Sequence, residues 1–437
     1  MFKLLFFAGM IAVCSCQDSK PTQASLTGSA NTEGYQDDSL PVPFATKSAK
    51  NFSKVVGWED GKTPVVPQGF MVSKFAEGLD HPRWIYVADN GDVFVAEANT
   101  ESSGLKKVGE KISGKSQSKS SGTSANVILM FRDADKNGVA ESQSVFLDGL
   151  NQPFGMLIMN NKFYVANTDG VYTYPYTTGA NSISSPPQKI LNLPAGGYNN
   201  HWTRNLLPGK DKSKVYVSVG SGSNVAEHGL ENEIRRANIL EINPDGSGEK
   251  VYASGLRNPV GMDWASDGVL WTAVNERDGL GDELVPDYIT GVQRDGFYGW
   301  PFSYWGNNPD PRMKDDPKPE MVSKAIVPDV PLGSHTASLG IKFYKGNKFP
   351  EKYRNGAFVT QHGSWNRSTL AGYKVVFVPF KNGKPSGKPE DFLTGFIKNL
   401  SGSEVYGRPV GIAELNDGSM LIADDASNVI WRISYNK

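Results

Sequence analysis

The amino-acid sequence predicts an all-β protein, and more narrowly a six-bladed β-propeller. The first observation is composition: the 437 residues include 47 glycines and 27 prolines, and 21% are charged, a profile typical of short strands joined by tight turns. The second observation is a repeated phrase, which reads FAEGLDHPRW at 75–84, FLDGLNQPFG at 146–155 and YASGLRNPVG at 252–261. Such a repeat indicates one large domain of similar units.

Six units follow one another along the chain. Each opens with an apolar strand, passes through a turn into a second apolar strand, and continues into outer strands. The first strands begin near residues 84, 155, 205, 261, 339 and 411. Four strands in each of six units would form the blades of a propeller. The last unit lacks an outer strand, so we expect an N-terminal strand at 70–75 to pair with the last blade and close the ring.

The first sixteen residues have the pattern of a bacterial lipoprotein signal. A lysine at position 3 precedes an apolar stretch at 4–13, which is too short to span a bilayer, and Val-Cys-Ser-Cys follows. Cys16 is the better candidate for lipidation because the small Ser15 precedes it. We therefore expect 1–16 to be a signal peptide and the protein to be an exported periplasmic or cell-surface lipoprotein, held at the membrane by its lipid only. A plain secretory signal is the alternative.

The remaining composition separates a tether from the domain. Residues 17–64 are rich in serine, threonine, glycine and asparagine and predict a flexible tether, whereas 65–437 form the predicted propeller domain. The formal net charge is −1 and no block of lysine and arginine is present, which argues against nucleic acid as a partner. Both cysteines lie within the first sixteen residues, so no disulfide is expected in the domain.

Polar residues precede the first strand in three neighbouring units. His201 stands there in the third unit, Gln152 in the second, and the pair Arg257-Asn258 in the fourth. The starts of the first strands should face one end of the central channel, so these side chains are expected to meet there. A single histidine is more often structural, and that reading stays open for His201 by itself. Its position among polar residues at equivalent turns favours function.

Five cationic side chains fall at or near the same strand ends in different units. If they converge on the channel axis, they predict an anionic ligand, because guanidinium groups bind planar carboxylates through paired hydrogen bonds. Scattered surface charges are the alternative. The five residues are Arg204, Arg257, Arg367, Lys374 and Arg408.

Two acidic segments are candidates for metal binding. The segment NERDGLGDE at 275–283 supplies carboxylates and turn carbonyls, the hard oxygen ligands that calcium prefers. Solvated loop carboxylates are the competing interpretation. The segment DADKNG at 133–138 resembles the start of a calcium loop, but Ser144 stands at the twelfth position, where an EF-hand needs glutamate. We interpret this second segment as a turn built on Asp and Asn side chains.

Seven segments follow one another between residues 65 and 437: Asn200-His201, GLRNP at 255–259, NERD at 275–278, GDE at 281–283, YGWP at 298–301, HGSWNR at 362–367 and GRPVG at 407–411. Through these segments the chain resembles the soluble quinoprotein glucose and sorbosone dehydrogenases, six-bladed propellers that use pyrroloquinoline quinone (PQQ) with calcium. The segment HGSWNR looks more like the sorbosone-type branch than the glucose-type one. Asn200 stands where glucose-type members usually have aspartate before the catalytic histidine.

The resemblance implies roles for the residues at the strand ends. His201 would be the general base that removes the proton of the sugar's anomeric hydroxyl while hydride passes to the quinone. Arg257 would stabilise the negative charge that develops on the quinone oxygen. The implied PQQ contacts are Gln152, Arg204, Asn258, Arg367, Lys374 and Arg408.

The resemblance also implies metal ligands. Main-chain oxygens near Glu276 and Arg277 would hold a calcium ion that bridges protein and quinone and polarises the quinone. A second, structural ion would use Glu283 and the carbonyl of Tyr298.

The expected activity is PQQ- and calcium-dependent oxidation of an aldose or sorbosone-like sugar. The sequence has no Cys-x-x-Cys-His motif for haem attachment, so electrons would pass to a separate acceptor, a quinone or a cytochrome. Two alternatives stay open. One is a calcium-dependent hydrolase of the lactonase type, which would need carboxamides and carboxylates around one central metal. The other is a propeller that binds carbohydrate without catalysis.

Overall fold

A computed structural model describes residues 40–101, 110 and 115–436. The predicted signal peptide, the anchoring Cys16 and the first part of the predicted tether lie outside these residues. The described chain is nearly all β, with thirty-one strands and one α-helical turn, Pro319–Val322. Single turns of 3-10 helix occur at Lys115–Ser118, Leu230–Glu233, Pro311–Met313 and Glu351–Tyr353.

Six sheets of four or five strands follow one another in the described chain, and we number them I to VI. Two strands precede them, β1 (Lys54–Val55) and β2 (Phe70–Glu77). Sheets I and II each contain four consecutive antiparallel strands. Sheet I consists of β3 (Pro82–Val87), β4 (Val93–Glu97), β5 (Val127–Arg132) and β6 (Ser142–Leu147), and sheet II of β7 (Met156–Met159), β8 (Lys162–Asn167), β9 (Gly170–Pro175) and β10 (Gln188–Asn192).

Sheets III and IV share the long insertion between the fourth and fifth units. A short strand from this insertion adds to sheet III in parallel, while a later strand completes sheet IV. Sheet III consists of β11 (Arg204–Pro208), β12 (Val215–Val219), β13 (Asn238–Ile242), β14 (Lys250–Ser254) and β18 (Gly296–Phe297). Sheet IV consists of β15 (Pro259–Trp264), β16 (Leu270–Val274), β17 (Pro286–Gly291) and β21 (Val330–Ser334), and a separate hairpin of β19 (Ser303–Tyr304) and β20 (Asn308–Pro309) lies between them in sequence.

Sheets V and VI come from the C-terminal part of the chain. Sheet V consists of β22 (Ser338–Phe343), β23 (Gly356–Gln361), β24 (Lys374–Lys381), β25 (Lys384–Pro385) and β26 (Glu390–Leu393). Sheet VI consists of β29 (Pro409–Glu414), β30 (Met420–Asp424), β31 (Val429–Tyr435) and the N-terminal β2. The short strands β27 (Ile397–Asn399) and β28 (Glu404–Val405) form a small sheet with β1.

Burial is greatest in the inner strands of each sheet. In sheet III every residue of β12 and β13 is buried, whereas β14 begins with two exposed residues. The apolar faces of neighbouring sheets meet in shared cores. Between sheets I and II, for example, the Phe94 ring lies 4.6 Å from the ring of Phe146 and 5.0 Å from that of Phe163. These cores explain why the inner strands are apolar on both faces.

Gly155, which ends one copy of the repeated phrase, and Gly411, which ends the segment GRPVG, let first strands of neighbouring sheets approach closely. A Cβ atom on Gly155 would lie 2.6 Å from the Cα atom of Asn205 in β11. A Cβ atom on Gly411 in β29 would lie 2.5 Å from the carbonyl oxygen of Arg83 in β3. Glycine recurs in the phrase because a side chain does not fit between these strands. The second contact also shows that the last sheet lies beside the first.

The N-terminal strand β2 forms the outer strand of sheet VI. It pairs antiparallel with β31, from Phe70 opposite Tyr435 to Glu77 opposite Val429. This is the pairing expected from the sequence. Phe70 strengthens it through edge-to-face contacts with four rings, those of Phe349, Tyr353, Phe392 and Tyr435.

The described part of the predicted tether is packed against sheets IV to VI. We call residues 40–64 the N-terminal strap. The amide of Gly281 donates to the Ser48 hydroxyl at 3.1 Å, and the Trp58 indole donates to the carboxylate of Asp424 at 2.8 Å. The flexible tether predicted for 17–64 therefore does not describe this part, because its polar composition serves hydrogen bonds to loops far away in sequence.

No helix among the described residues combines the length and apolar character that crossing a membrane requires.

Truncating Phe70 tests whether β2 is an integral part of the fold. Phe70 is 8% exposed, so we expect Phe70→Ala to lower the free energy of unfolding by about 3–5 kcal/mol. The neighbouring Met71 is 48% exposed, and Met71→Ala should cost less than about 1 kcal/mol. Urea denaturation measures both variants. Equal stability of the two would contradict the packing described for β2.

Candidate active site at the polar end of the sheets

The starts of the first strands and the ends of the second strands lie at the same end of each sheet. In sheet III, Arg204 at the start of β11 is opposite Val219 at the end of β12. In sheet VI, Pro409 at the start of β29 is opposite Asp424 at the end of β30. We call this edge of the six sheets the polar end, because His201, Arg257 and most other predicted site residues lie next to it.

The imidazole of His201 is oriented by Ser221. Nδ1 of His201 lies 2.9 Å from both the carbonyl oxygen and the hydroxyl oxygen of Ser221, which follows β12. The Ser221 hydroxyl donates its own hydrogen to the carbonyl of Ser223 at 2.7 Å. Nδ1 must therefore carry the proton, and the lone pair of Nε2 is left to accept one. Nε2 has no hydrogen bond to any other described residue.

A buried glutamate fixes the loop that carries Ser221. Glu233 accepts a hydrogen bond from the amide of Gly222 at 2.7 Å and another from the hydroxyl of Ser223 at 2.5 Å. The residue before His201, Asn200, does not hold its imidazole. The structure thus supplies the orientation of the base through the end of the neighbouring strand.

Arg204 supports the segment before His201 from inside the protein. Its guanidinium is fully buried and donates to the carbonyl oxygens of His201 and Pro194, each at 2.7 Å. Further bonds reach the Thr203 carbonyl at 2.9 Å and the Asn199 side chain at 3.0 Å. Burial lowers the pKa of Arg204 to about 9. Arg204 was predicted to contact PQQ, but Nε is its one unused donor. The observed role of Arg204 is therefore structural.

His201 is neutral at pH 7. Burial lowers its pKa well below the usual value of 6.5, and the positive charges of Arg257, Arg204 and Arg236 lower it further. A neutral imidazole with a free Nε2 can accept a proton, which is the state that a general base requires.

Arg257 joins sheets III and IV at the polar end. Its guanidinium is 3% exposed and donates to the carbonyl oxygens of Asn224, Asn275 and Glu276 at 3.1, 3.1 and 2.7 Å. The carboxylate of Asp278 lies 3.7 Å from its Nη2 atom. Two loop segments, one at Asn224 and one at 275–278, are therefore held by one fixed positive charge near His201.

Asn258 presents an unsatisfied group beside His201. Its side chain is 5% exposed, and its Oδ1 atom has no hydrogen-bond partner among the described residues. Gly220 lies between the two side chains. A Cβ atom on Gly220 would lie 2.4 Å from Oδ1 of Asn258 and 2.6 Å from Cβ of His201. The bare glycine thus keeps His201 and Asn258 close together, and the Asn258 amide oxygen has an unused capacity to accept a hydrogen bond.

Gln152 lies before β7, as predicted, but its side chain is directed to sheet I. Its side-chain Nε2 atom donates to the carbonyl of Asn99 at 2.8 Å, and its main-chain N–H donates to Oδ1 of Asn126 at 2.9 Å. The carbonyl oxygen of the Gln152 side chain is left for other contacts.

The two predicted calcium ligands have different environments. Glu276 is 3% exposed; its Oε2 atom accepts from Arg277, while Oε1 has no partner among the described residues. Arg277 is fully buried and donates to the carbonyls of Pro301 and Ser303 and to Asp310. The Arg277 side chain therefore anchors the insertion, and only its main-chain oxygen could face a metal.

Asp278 and His335 form an ion pair beside Glu276 and Arg277. His335 Nδ1 lies 3.1 Å from a carboxylate oxygen of Asp278, and its Nε2 lies 2.8 Å from the carbonyl of Gly281. Burial alone would lower the pKa of His335, but the Asp278 carboxylate outweighs it and raises the pKa. His335 had no predicted function. It holds the 278–281 loop against sheet V.

The segment HGSWNR at 362–367 binds the loop at 279–283 through two side chains. Asn366 accepts from the amide of Gly279 at 3.0 Å, and Arg367 donates to the Asp282 carbonyl at 2.6 Å and to both carboxylate oxygens of Glu283. The structure thus pairs Arg367 with Glu283, which were predicted as separate PQQ and calcium contacts.

The other two predicted contacts in this region also have protein partners. The main-chain carbonyl of Tyr298 was the predicted ligand, and the side-chain hydroxyl of Tyr298 donates to the Gly291 carbonyl at 2.9 Å. Lys374, at the start of β24, lies 2.5 Å from the carboxylate of Asp391.

Arg408 belongs to a cluster around one buried carboxylate. Asp425 follows β30, is 1% exposed, and accepts from Arg408 at 3.1 Å and from Arg83. His362 and His81 lie 2.9 and 3.2 Å from it. We call these five residues the Asp425 cluster.

The Asp425 cluster has an excess of positive charge. Burial alone would raise the pKa of Asp425, but Arg408 and the other three neighbours hold it well below its usual range. Burial lowers the pKa of His362 to about 4, so this imidazole is neutral at pH 7. Two arginines therefore face one carboxylate. Nε of Arg83 is buried without a partner among the described residues, and its guanidinium lies 5.6 Å from the ring of Trp202, next to His201.

Sequence reasoning missed two residues that follow second strands. Ser221 lies two residues after the end of β12, and Asp425 directly follows β30, at the same end as the predicted junctions. Reading both ends of each inner hairpin would have found Ser221 and Asp425. Asp278 and His335 gave no such signal, because their meeting depends on loop conformation.

This arrangement defines a class of protein: an all-β fold of repeated antiparallel sheets with a polar end that contains a neutral histidine and buried arginines. The chain belongs to the TrAA12-like family, whose model matches residues 64–286 and 307–436.

Two relatives extend the comparison. An uncharacterized protein of Borreliella burgdorferi is 31% identical over 299 residues, covering 66% of this chain and 77% of that protein. A pyrroloquinoline quinone-dependent pyranose dehydrogenase of Coprinopsis cinerea is 23% identical over 407 residues, covering 84% of this chain and 54% of that protein. The chain thus spans about half the length of the pyranose dehydrogenase.

Solved structures share the fold. The holo PQQ domain of the Coprinopsis cinerea pyranose dehydrogenase has a TM-score of 0.68 at 20% identity, with 88% of this chain and 100% of that chain covered. A calcium structure of a Trichoderma reesei family AA12 enzyme has a TM-score of 0.68 at 19% identity, with 88% and 99% covered. The PQQ-bound aldose sugar dehydrogenase of Streptomyces coelicolor has a TM-score of 0.56 at 15% identity, with 85% and 100% covered.

A methyl group on Gly220 tests the tight contact between His201 and Asn258. We expect Gly220→Ala to lower the free energy of unfolding by about 1–3 kcal/mol, because both side chains must move. Gly196→Ala is the matched control, since a Cβ atom there would have nothing within 4 Å. Urea denaturation compares the two. A Gly220→Ala variant as stable as the control would show that the two side chains are not packed across this glycine.

Proposed function

We propose that this protein is a PQQ- and calcium-dependent sugar dehydrogenase that oxidises an aldose or related pyranose at its anomeric carbon. We also propose that sheets I to VI are the blades of a six-bladed propeller that β2 closes. The observation that carries the function is His201, a neutral imidazole with its Nδ1 proton fixed by Ser221 and its Nε2 free. The dehydrogenase names of the relatives support the same conclusion.

The polar end fits a cofactor with several carboxylates. The Asp425 cluster has two guanidinium groups for one carboxylate, and Nε of Arg83 is unsatisfied. An anionic group placed there would balance the charge and accept the unused hydrogen. Oδ1 of Asn258 is likewise unsatisfied next to His201. Arg83, Asn258 and Arg408 would therefore hold PQQ, with Gln152 as a further contact from sheet II.

PQQ, when bound, would supply the quinone that accepts two electrons as hydride from the sugar. Within the protein, Nε2 of His201 would take the proton of the anomeric hydroxyl. The hydrogen bond from Nδ1 to Ser221 keeps the imidazole in the required tautomer and stabilises the imidazolium that forms. Arg257 would place a fixed positive charge near the developing negative charge, without reorganisation, because its loop contacts already hold it in position.

Calcium would be held by the carboxylate of Glu276. Its Oε1 atom is the buried, unused oxygen of this corner, whereas its carbonyl oxygen accepts from Arg257 at 2.7 Å. Carboxylate and carbonyl oxygens suit calcium, and Arg277 would add its main-chain oxygen. Arg204, Arg367 and Lys374 are outside the proposed cofactor site, because their charged groups are used by other protein atoms.

Electrons would leave to a separate quinone or cytochrome. The export and the lipid anchor at Cys16 belong to the proposal as well and rest on the N-terminal sequence. Whether a sorbosone-like sugar is among the substrates is a question for a substrate panel, since the named relatives are pyranose and aldose sugar dehydrogenases.

A calcium-dependent hydrolase of the lactonase type is the second candidate. It would require amide and carboxylate oxygens around one central metal. The observed polar end instead concentrates buried guanidinium groups, Arg83, Arg257 and Arg408, which favour an anion over a cation.

Replacement of the base separates binding from chemistry. The full chain is incubated with PQQ, Ca²⁺ and a panel of aldoses, and reduction of a dye acceptor is followed. We expect His201→Ala to retain PQQ binding and to lose at least a hundredfold in kcat, in line with the usual contribution of a general base. His228→Ala is the control, since the His228 ring stacks on the ring of Tyr198, with 3.4 Å between their centroids, and not on His201. Unchanged turnover of His201→Ala would remove His201 from this role, and no dye reduction with any aldose by the unaltered chain would refute the dehydrogenase itself.

The pH profile provides a further test of His201. Its pKa is lowered below 6.5, so the base stays neutral as the pH falls through 6.5 and gains its proton only at lower pH. The acid limb of kcat/KM should therefore lie below pH 6.5. Measurement from pH 4 to 9 with a saturating acceptor decides this. An acid limb above pH 6.5 would contradict a buried, neutral base.

A further inference from the structure

A cavity of about 500 Å³ opens beside sheet V, away from the residues that surround His201. It is bounded by the outer strand β21, the start of β24 and the segment 391–400. His201, Arg257, Asn258 and Arg408 are not among its lining residues. Its volume lies in the range of small-molecule sites. We call it the side cavity.

The charges that line the side cavity cancel. Lys374 lies 2.5 Å from Asp391, and Arg367 pairs with both carboxylate oxygens of Glu283. All four residues line the cavity. An anionic or cationic ligand would have to break one of these pairs, whereas a neutral ligand could accept from the cations and donate to the carboxylates together. The charge pattern therefore selects a neutral, polar ligand.

Gln361 lines the cavity and has an amide oxygen without a donor. Gln361 at the end of β23 is 1% exposed, and its Nε2 atom donates to the carbonyl of Leu332 at 2.8 Å. Its Oε1 atom has no hydrogen-bond partner among the described residues. An unpaired buried acceptor costs about 1–3 kcal/mol. A ligand hydroxyl that donates a hydrogen bond to this oxygen would therefore stabilise the complex.

Apolar side chains complete the wall. Leu332 and Leu370 are buried, and Leu400 is 52% exposed at the edge. A ligand with hydroxyl groups around its rim and C–H groups on its faces matches ion pairs, an amide oxygen and leucines in one cavity. A pyranose ring has this chemistry.

We propose that the side cavity is a second binding site, specific for a neutral pyranoside and separate from the His201 site. It does not depend on the proposed dehydrogenase activity. It also assigns Arg367 and Lys374 to ligand binding as ion pairs with Glu283 and Asp391.

Methyl β-D-glucopyranoside tests the site without turnover, because its anomeric hydroxyl is blocked. Calorimetric titration of the full chain without PQQ should show binding. Gln361→Met removes both polar atoms at similar volume, and Lys374→Met breaks one ion pair; each should weaken binding at least fivefold. Lys348→Met is the matched control, since Lys348 pairs with Asp417 at 3.1 Å in a different cavity, and it should leave binding unchanged. Thermal melting confirms that the variants are folded.

Two further arms fix the location and the ligand class. Gly220→Ala alters the His201 site and should leave binding of the methyl glycoside unchanged. If Gly220→Ala lost binding while Gln361→Met and Lys374→Met bound as well as the unaltered chain, the sugar would be placed at the His201 site and the proposal overturned. Tighter binding of D-glucuronate than of the neutral glycoside would overturn the ligand class. The absence of any binding would refute the side cavity as a pyranoside site, whatever the outcome of the dehydrogenase assay.

Discussion

The arginine at position 257 is the point on which the polar end depends. Its buried guanidinium binds carbonyl oxygens of Asn224, Asn275 and Glu276 and lies near the Asp278 carboxylate. A charge buried so completely is tolerated only when its hydrogens are all used, so the loops must keep their conformation. Burial lowers the pKa of His201, and the charge of Arg257 lowers it further. One side chain thus fixes the loops, contributes the local charge and adds to the effect of burial on the histidine.

The repeat explains how much of the fold could be predicted. Two copies of the repeated phrase end in glycine because first strands of adjacent sheets touch at Gly155 and Gly261. Alternating apolar residues therefore predicted the strands. The absence of an outer strand in the last unit predicted the pairing of β2 with β31. The N-terminal strap was not predictable from composition, because its polar residues and Trp58 find partners only in loops brought near by the fold.

The sequence predicts where the site residues stand in the fold, but it does not predict their hydrogen-bond and ion-pair partners. His201, Arg257 and Arg408 stand at strand starts, which the pattern locates. The partners of the cations depend on side chains distant in sequence: Arg367 meets Glu283, and Arg408 shares Asp425 with Arg83. In the stretch around Arg257 the sequence predicted a main-chain oxygen of Glu276 as a metal ligand. Because the Glu276 carbonyl accepts from Arg257 and Oε1 of its side chain is unpaired, we propose the carboxylate instead.

A crystal structure of the chain with PQQ and Ca²⁺ would test the central claim most directly. The account predicts PQQ at the polar end, with a carboxylate within hydrogen-bond distance of Arg83 and Arg408, the quinone beside Asn258, and Nε2 of His201 facing the open substrate position. PQQ bound in the side cavity at Arg367 and Lys374, or a His201 that donates through Nε2 to a protein group, would contradict it.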